Sequence, residues 1–282
     1  MMLALPEIEV LRRDLENEVV GRRIKEVEIR PGTNAMKIIR RHGRRKEFEE
    51  LLVGAKIEKV RRVGRKLFMD LDNGRVMVFD LATTGRLMKT SASEPVVTHT
   101  HIIITFTIGG HLRMVDPQRT GEVFVAEADE VDRLEGIRDF KIDPLEHQVA
   151  WQEFSGLLVE REAKMKELLM DETFIVGLGD VYSDEVLFAA GISHDRMSNK
   201  LTSQDVRRLY RALMETMQDA LKAGGTLALE TNTVSPVPPG MFQWELKVFE
   251  RDGEACRRCR STIERVDVKG AYVTYYCPQC QS

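Results

Sequence analysis

Residues 256–280 read CRRCRSTIERVDVKGAYVTYYCPQC and contain every cysteine of the chain: Cys256, Cys259, Cys277 and Cys280. The pattern is C-x2-C, 17 residues, then C-x2-C. Two such knuckles offer four thiolates in the tetrahedral arrangement that Zn²⁺ takes. The segment between them alternates apolar and polar residues and is rich in Val, Thr and Tyr, which predicts two strands turning at Lys269-Gly270. A pair of disulfides is the other use of this pattern, and a reducing cytoplasm would oppose it. With four protein ligands no coordination position stays open, so the expected zinc is structural.

Upstream of this hairpin, TNTVSPVPPG (residues 231–240) interrupts the chain with clustered prolines. Residues 146–223 before it follow a helical period, broken at Gly177-Leu178-Gly179 and Gly191. Thr202 or Ser203 is the expected N-cap of DVRRLYRALMETMQDALKAGG. The N-terminal half reads differently. A helix from about Glu7, carried by Leu11, Leu15, Val19 and Val20, leads into the strand IKEVEIR. The runs KIEKVRRVG, KLFMDLD, RVMVFDL, THIIITFTI, HLRMVD and EVFVAEA follow, with turn signals at Asp72-Asn73-Gly74 and Gly109-Gly110. The expected class is α+β and multidomain: an N-terminal β-sandwich over 1–134, a helical domain over 146–235 and a zinc β-hairpin over 240–282.

Composition bounds the rest. The chain has 282 residues, 43% apolar and 31% charged, with 42 Lys+Arg against 45 Asp+Glu. That excludes general disorder. No stretch approaches the roughly 18 apolar residues of a membrane helix. The N-terminus turns charged too early for a signal peptide, so the expectation is cytoplasmic, nucleoid-associated at most. Positive charge is nonetheless locally concentrated at Arg40, Arg41, Arg44, Arg45 and Lys46; at Arg61, Arg62, Arg65 and Lys66; and at Arg257, Arg258 and Arg260. Each run is either a phosphate-neutralising surface or a solvated face. Glu47, Glu49 and Glu50 weaken the first run, whereas the knuckle arginines, Arg258 among them, could enter a groove on a β-ribbon.

Several motifs then occur in order. Leu5-Pro6-Glu7-Ile8-Glu9-Val10 resembles the LPEVE opening of the formamidopyrimidine-DNA glycosylase/endonuclease VIII (Fpg/Nei, MutM-like) family. Asp116-Pro117-Gln118-Arg119-Thr120-Gly121 resembles its DPRRFG. Leu169-Met170-Asp171 through Gly177-Leu178-Gly179-Asp180-Val181-Tyr182-Ser183-Asp184-Glu185 resembles its LLDQ…GIGNIYADE, the helix–two-turn–helix (H2TH). Phe242-Gln243, Val248-Phe249 and Arg251 resemble the lead into its zinc finger. The resemblance runs from about residue 3 to residue 282.

What it implies is a two-domain DNA-repair clamp. Such enzymes flip a damaged base from the duplex, displace it with an N-terminal proline amine, and cleave the strand through a Schiff base. The departures fall on that chemistry. The resemblance places Leu3 at the nucleophile and Ala4 at the adjacent carboxylate, removing general acid/base help worth about 10²–10⁴-fold. Met1-Met2-Leu3 is not expected to be trimmed to a small residue, which would leave the amine two residues upstream of the chemistry. Arg65 stands for the family's lysine, with Lys66 adjacent. Thr83, Gln118 and Thr120 stand where the Fpg branch has a Met, an Arg and a Phe that fill the gap left by the flipped base. Asp180 stands for an asparagine and Tyr272 for the zinc-finger arginine.

The resemblance retains Glu7, His99, His101, Arg119, Lys166 and the cysteines. Arg65, His99, His101, Arg119, Lys166 and Arg258 are the expected DNA contacts. Each has a plainer alternative. His99 and His101 alternate on one strand face and could be ordinary strand residues, Lys166 could be solvated, and Glu7 could serve the first helix turn.

Three functions follow. The first is a DNA-binding family member without proline-dependent base excision. The second is an active glycosylase/AP lyase with a relocated amine, Lys66 or the N-terminal amine. The third is a protein-interaction module built on the zinc hairpin and Tyr272, Tyr275 and Tyr276. A monomer is expected, binding duplex DNA, damaged or not, more weakly than its relatives because the net charge is −3.

Overall fold

The structure is a computed structural model, and it describes all residues except 1–2, 31–34, 147–148, 227–239, 269 and 271. The chain groups into two compact units. The first holds Leu3 and Glu7–Arg138; the second holds Ala4–Pro6, Asp139–Thr226 and Met241–Ser282.

Helix α1 (Leu5–Val19), which belongs to the first unit from Glu7 on, precedes β1 (Ile24–Ile29), α2 (Arg45–Leu52), β2 (Ile57–Val63), β3 (Lys66–Leu71), β4 (Arg75–Asp80), β5 (Arg86–Thr90), β6 (Thr100–Phe106), β7 (His111–Val115) and β8 (Glu122–Glu127). The strands form two four-stranded antiparallel sheets, β1-β6-β7-β5 and β2-β3-β4-β8. One core takes Ile104 and Leu112 from the first sheet, Leu67 and Met77 from the second, and Leu11 and Leu15 from α1. This is the expected sandwich. Two elements were not foreseen. β5 is short and lacks alternation, and α2 begins inside a basic run, yet its Phe48 and Leu52, four apart, are both buried.

Local chemistry sets the turns that matter. Val63 pairs with Lys66, so Gly64-Arg65 is the tip of the β2–β3 hairpin, with Gly64 at φ +54°. Arg65 therefore stands at a hairpin end rather than within a strand.

The second unit contains α3 (Trp151–Val159), α4 (Met165–Met170), α5 (Gly179–Ala190), α6 (Ser203–Lys222), β9 (Glu264–Val268) and β10 (Tyr272–Tyr276). Gly177, at φ +72°, admits no side chain: a Cβ there would lie 2.8 Å from Leu5 Cβ, and its carbonyl accepts the Leu5 N–H at 2.8 Å. Gly191 closes α5 in the left-handed conformation, and Thr202 is the N-cap of α6 through a capping box with Asp205. β9 and β10 pair from Val268↔Tyr272 to Glu264↔Tyr276. Of the expected turn, Lys269 lies outside the described residues, as does the proline-rich stretch before Gly240. Among the described residues no helix is long and apolar enough to cross a membrane.

Candidate metal centre and nucleic-acid interface

The four Sγ atoms lie within 4.8 Å of one another, with Cys256–Cys280 at 3.9 Å and Cys259–Cys277 at 3.4 Å. A tetrahedron of sulfurs about 2.3 Å from zinc has edges of about 3.8 Å, so the donors fit the ion. None is in a disulfide. The first knuckle is shaped by Arg260 at φ +72° and by the Arg258 N–H donating to Cys256 Sγ at 3.4 Å. Hydrogen bonds from Ser261 draw the Cys259 thiol down to about 6, while burial and the neighbouring sulfurs push Cys280 up to about 12. A cation among the four sulfurs would offset that mutual repulsion and let all four ligate as thiolates.

A buried polar clasp supports the hairpin. Lys166 Nζ donates to Asp180 O at 2.8 Å, Ser183 Oγ at 2.8 Å and Asp184 Oδ1 at 2.7 Å. Asp184 also accepts from Thr274 Oγ1 and from the Tyr275 N–H. Burial raises the Asp184 carboxyl to about 6, against the opposing pull of Lys166, Thr274 and Tyr275. Glu185 receives the backbone N–H groups of Lys247, Val248 and Phe249 at 2.9–3.0 Å. Sequence reasoning missed this clasp. Asp184 and Glu185 sit inside the H2TH motif, and two adjacent acids in the middle of the buried, mostly apolar part of α5 were the available signal.

Lys166, expected at DNA, is thus 0% exposed, and its three donors are all used internally. The packing of α4 on α5 turns it inward, so it reaches no phosphate in this arrangement. The histidines also depart from the expected strand face. His99 precedes β6, exposed, at φ +63°, because a bulge displaces the register between Thr100 and Ile102. His101 is buried and donates through Nε2 to Asp116 O at 2.8 Å.

Asp116 organises the loop that follows. Fully buried, it accepts from Thr84 Oγ1 and from the Gly121 N–H. Arg119 rises from that loop, exposed at φ +57°, and among the described residues its side chain has no hydrogen bond or ion pair. Thr83, Gln118 and Thr120 are exposed too. Arg258 lies exposed on the zinc knuckle, its guanidinium 4.3 Å from the Phe188 ring centroid.

Where the resemblance puts the chemistry, Leu3 and Ala4 are 5% and 9% exposed and Glu7 is buried. Arg65 Nε donates to Leu3 O at 3.0 Å and Nη2 to Ala82 O at 3.1 Å. Lys66 Nζ pairs with Asp80 at 3.3 Å. Residues 1–2, and with them the Met1 amine, lie outside the described residues.

Much of the remaining basic charge is spent at home. Arg40 and Arg41 hold Glu122, Arg61 holds Asp70, and Arg62 holds Glu9. Asp180 is exposed in the first turn of α5, where a carboxylate suits the helix dipole. Nor do the hairpin tyrosines share a face, since strand alternation puts Tyr275 opposite Tyr272 and Tyr276. Tyr272 is buried, Tyr275 packs on Phe249, and Tyr276 donates to Glu264.

A two-sheet N-terminal unit, a helix–two-turn–helix and a four-cysteine hairpin together define a zinc-hairpin protein of the DNA-repair glycosylase type. The family models agree over the chain: Formamidopyrimidine-DNA glycosylase N-terminal domain at 2–123, Formamidopyrimidine-DNA glycosylase H2TH domain at 140–231, and Zinc finger found in FPG and IleRS at 253–282. The chain belongs to the formamidopyrimidine-DNA glycosylase (Fpg) family, and its four cysteines are that family's structural zinc site. The Formamidopyrimidine-DNA glycosylase of Pelotomaculum thermopropionicum is 34% identical, with 99% of both chains covered. That of Bacillus cereus is also 34% identical, over 280 residues, 99% of each chain. Among solved structures, Lactococcus lactis Fpg in complex with an abasic site containing DNA superposes with a TM-score of 0.87, 26% identity and 99% coverage of each chain. MutM in complex with carbocyclic 8-oxo-G containing DNA gives 0.87, 26% and the same coverage.

Proposed function

We propose that this Fpg-family protein binds duplex DNA, including abasic or otherwise damaged duplex, without the family's proline-dependent base excision. The observation that carries the reading is the state of residues 3 and 4. Leu3 and Ala4 are buried aliphatic side chains at the positions that the resemblance gives to the nucleophile and the carboxylate. The Leu3 carbonyl is tied to Arg65, a guanidinium that stays charged and shuttles no proton. Thr83 and Thr120 lack the bulk of the Met and Phe, and Gln118 the charge of the Arg, that the resemblance assigns to filling a vacated base position. DNA binding rests on the relatives solved with DNA and on exposed Arg119, with Arg258 and His99 as further contacts and Arg65, His101 and Lys166 acting inside the fold. Affinity below that of the relatives is supported by Asp180 and Tyr272, which provide no cation to phosphate. The working unit is a monomer with parts 1–134, 146–235 and 240–282, acting in the cytoplasm on chromosomal DNA.

Relocated amine chemistry at Lys66 is the competing reading, and the 3.3 Å pairing with Asp80 weighs against it. An ammonium held by a carboxylate carries no lone pair for attack. Borohydride trapping on an abasic-site duplex separates the two, with Lys66→Ala as control. No covalent adduct is expected from either protein. An adduct lost in Lys66→Ala would establish the relocated lyase, and an adduct retained in it would place the amine elsewhere; both overturn the proposal.

A further inference from the structure

The second unit carries a groove that the functional reading leaves unused. Its volume is about 590 Å³, and it is lined by Trp151 of α3 and by Arg207, Tyr210, Arg211, Met214 and Glu215 of α6. Trp151 and Tyr210 meet edge to face at 6.1 Å, and Tyr210 is fixed by donating to Val149 O at 2.7 Å. The floor is therefore apolar and braced. Val206, Leu209, Leu213 and Met217 of the same helix are buried, so the groove lies on a different face of α6.

The rim is the unusual part. Arg207 and Arg211 stand four residues apart on one helix, a like-charge pair that disfavours an isolated helix. Neither is paired with a carboxylate among the described residues; Arg207 only leans over the Trp151 ring, 5.7 Å from its centroid. The contrast with the next residue is informative: Arg208 is paired with Asp205 at 2.6 Å. Two guanidinium forks without acceptors beside an aromatic floor present donors for carboxylates and a seat for one apolar side chain.

We propose that this groove docks an acidic peptide segment of a partner protein, with carboxylates on Arg207 and Arg211 and one aromatic or aliphatic anchor against Trp151, Tyr210 and Met214. A peptide fits better than a nucleic-acid backbone because the groove offers only two cations beside one apolar seat. That is too few for a phosphate track but enough for a short acidic segment with one apolar side chain, whose backbone N–H Glu215 on the same rim can accept. The site stands on its own geometry and does not depend on whether base excision survives.

The test uses the full-length, zinc-loaded protein and a fluorescein-labelled peptide of alternating Asp and Glu around a single Phe, followed by anisotropy. Saturable binding is expected, weakened about tenfold or more in Arg207→Glu/Arg211→Glu. Replacing the Phe by Ser should weaken it too. Both arginines are exposed, so an unchanged melting temperature serves as the folding control, and Met214→Glu provides a second block that leaves the arginines intact. Absence of saturable binding overturns the proposal, as does binding indifferent to both blocks. If the double reversal instead removes affinity for a labelled DNA duplex and leaves the peptide unaffected, the groove belongs to nucleic acid and the proposal fails.

Discussion

Asp184 accepts a 2.7 Å hydrogen bond from Lys166, and neither side chain has exposed surface. This pair, extended through Thr274 and Tyr275, links α4, α5 and β10. A buried pair of this kind contributes little against an apolar replacement, yet breaking it on one side strands a charge. Lys166→Ala or Asp184→Ala should each lower unfolding stability by about 3–5 kcal/mol, read as a shift in urea midpoint. A joint change to Met and Leu should recover part of that loss, though not the acceptor for Tyr275. Weakened DNA binding at unchanged stability in Lys166→Ala would mean that this lysine leaves the clasp to meet phosphate.

The capping box of α6 sets a pH dependence. Asp205 Oδ2 accepts the Thr202 N–H at 2.9 Å, while Arg196 and Arg208 lie at 2.9 and 2.6 Å from its oxygens. Burial alone would raise this carboxyl; the bonds from Thr202 and the two arginine charges outweigh it and hold it below the usual range. A folded pKa below the unfolded one gives stability that is present above about pH 4 and lost as pH falls through the folded value. Asp205→Asn should therefore cost about 1 kcal/mol at pH 7 and much less at pH 2–3. Equal losses at both pH values, in urea titrations, would rule out the charge as the cause.

The same two sites mark what a sequence can and cannot disclose. The Thr202 cap and the cysteine spacing were legible because their partners lie within a few residues or at a fixed offset. The inward turn of Lys166 was not legible because its surroundings are made by Asp180, Ser183 and Asp184 together, which become neighbours only when α4 packs on α5. His99 and His101 misled for a related reason: alternation assumes an unbroken strand, and the bulge before Ile102 breaks it. The Arg65–Leu3 contact spans 62 residues and has no local signature. That Leu3 and Ala4 stand where the resemblance puts the excision chemistry was readable by position, whereas their burial was not.

Arg119 gives the cleanest test of DNA contact. The buried Asp116 shapes its loop, and no described side chain competes for its guanidinium. Arg119→Ala should weaken binding to duplexes of any sequence and reduce the slope of log affinity against log salt by about 1. Stability should stay within about 0.5 kcal/mol, since an exposed side chain without partners is removed. An unchanged salt slope would show that Arg119 does not neutralise a phosphate.

Zinc removal should affect the second unit and spare the first. The hairpin's own cluster is small: Val248, Ile263, Cys256 and Cys277, with Phe188 from α5. So few apolar groups do not offset the ordering of the β9–β10 segment, so the metal supplies the difference. Its Gln281 bridges the Cys277 N–H and Ile192 O, at 2.9 and 3.0 Å, and fails with the knuckle. A strong chelator should therefore abolish amide protection in the hairpin and loosen the end of α5, while β2–β3–β4–β8 keeps its exchange protection. Adding Co²⁺ to the stripped protein should give the visible absorption of a tetrahedral thiolate site, and Cys277→Ser should diminish it. A hairpin that keeps its protection after metal removal would show that packing alone holds it, and the zinc would then have to act on DNA affinity rather than on folding.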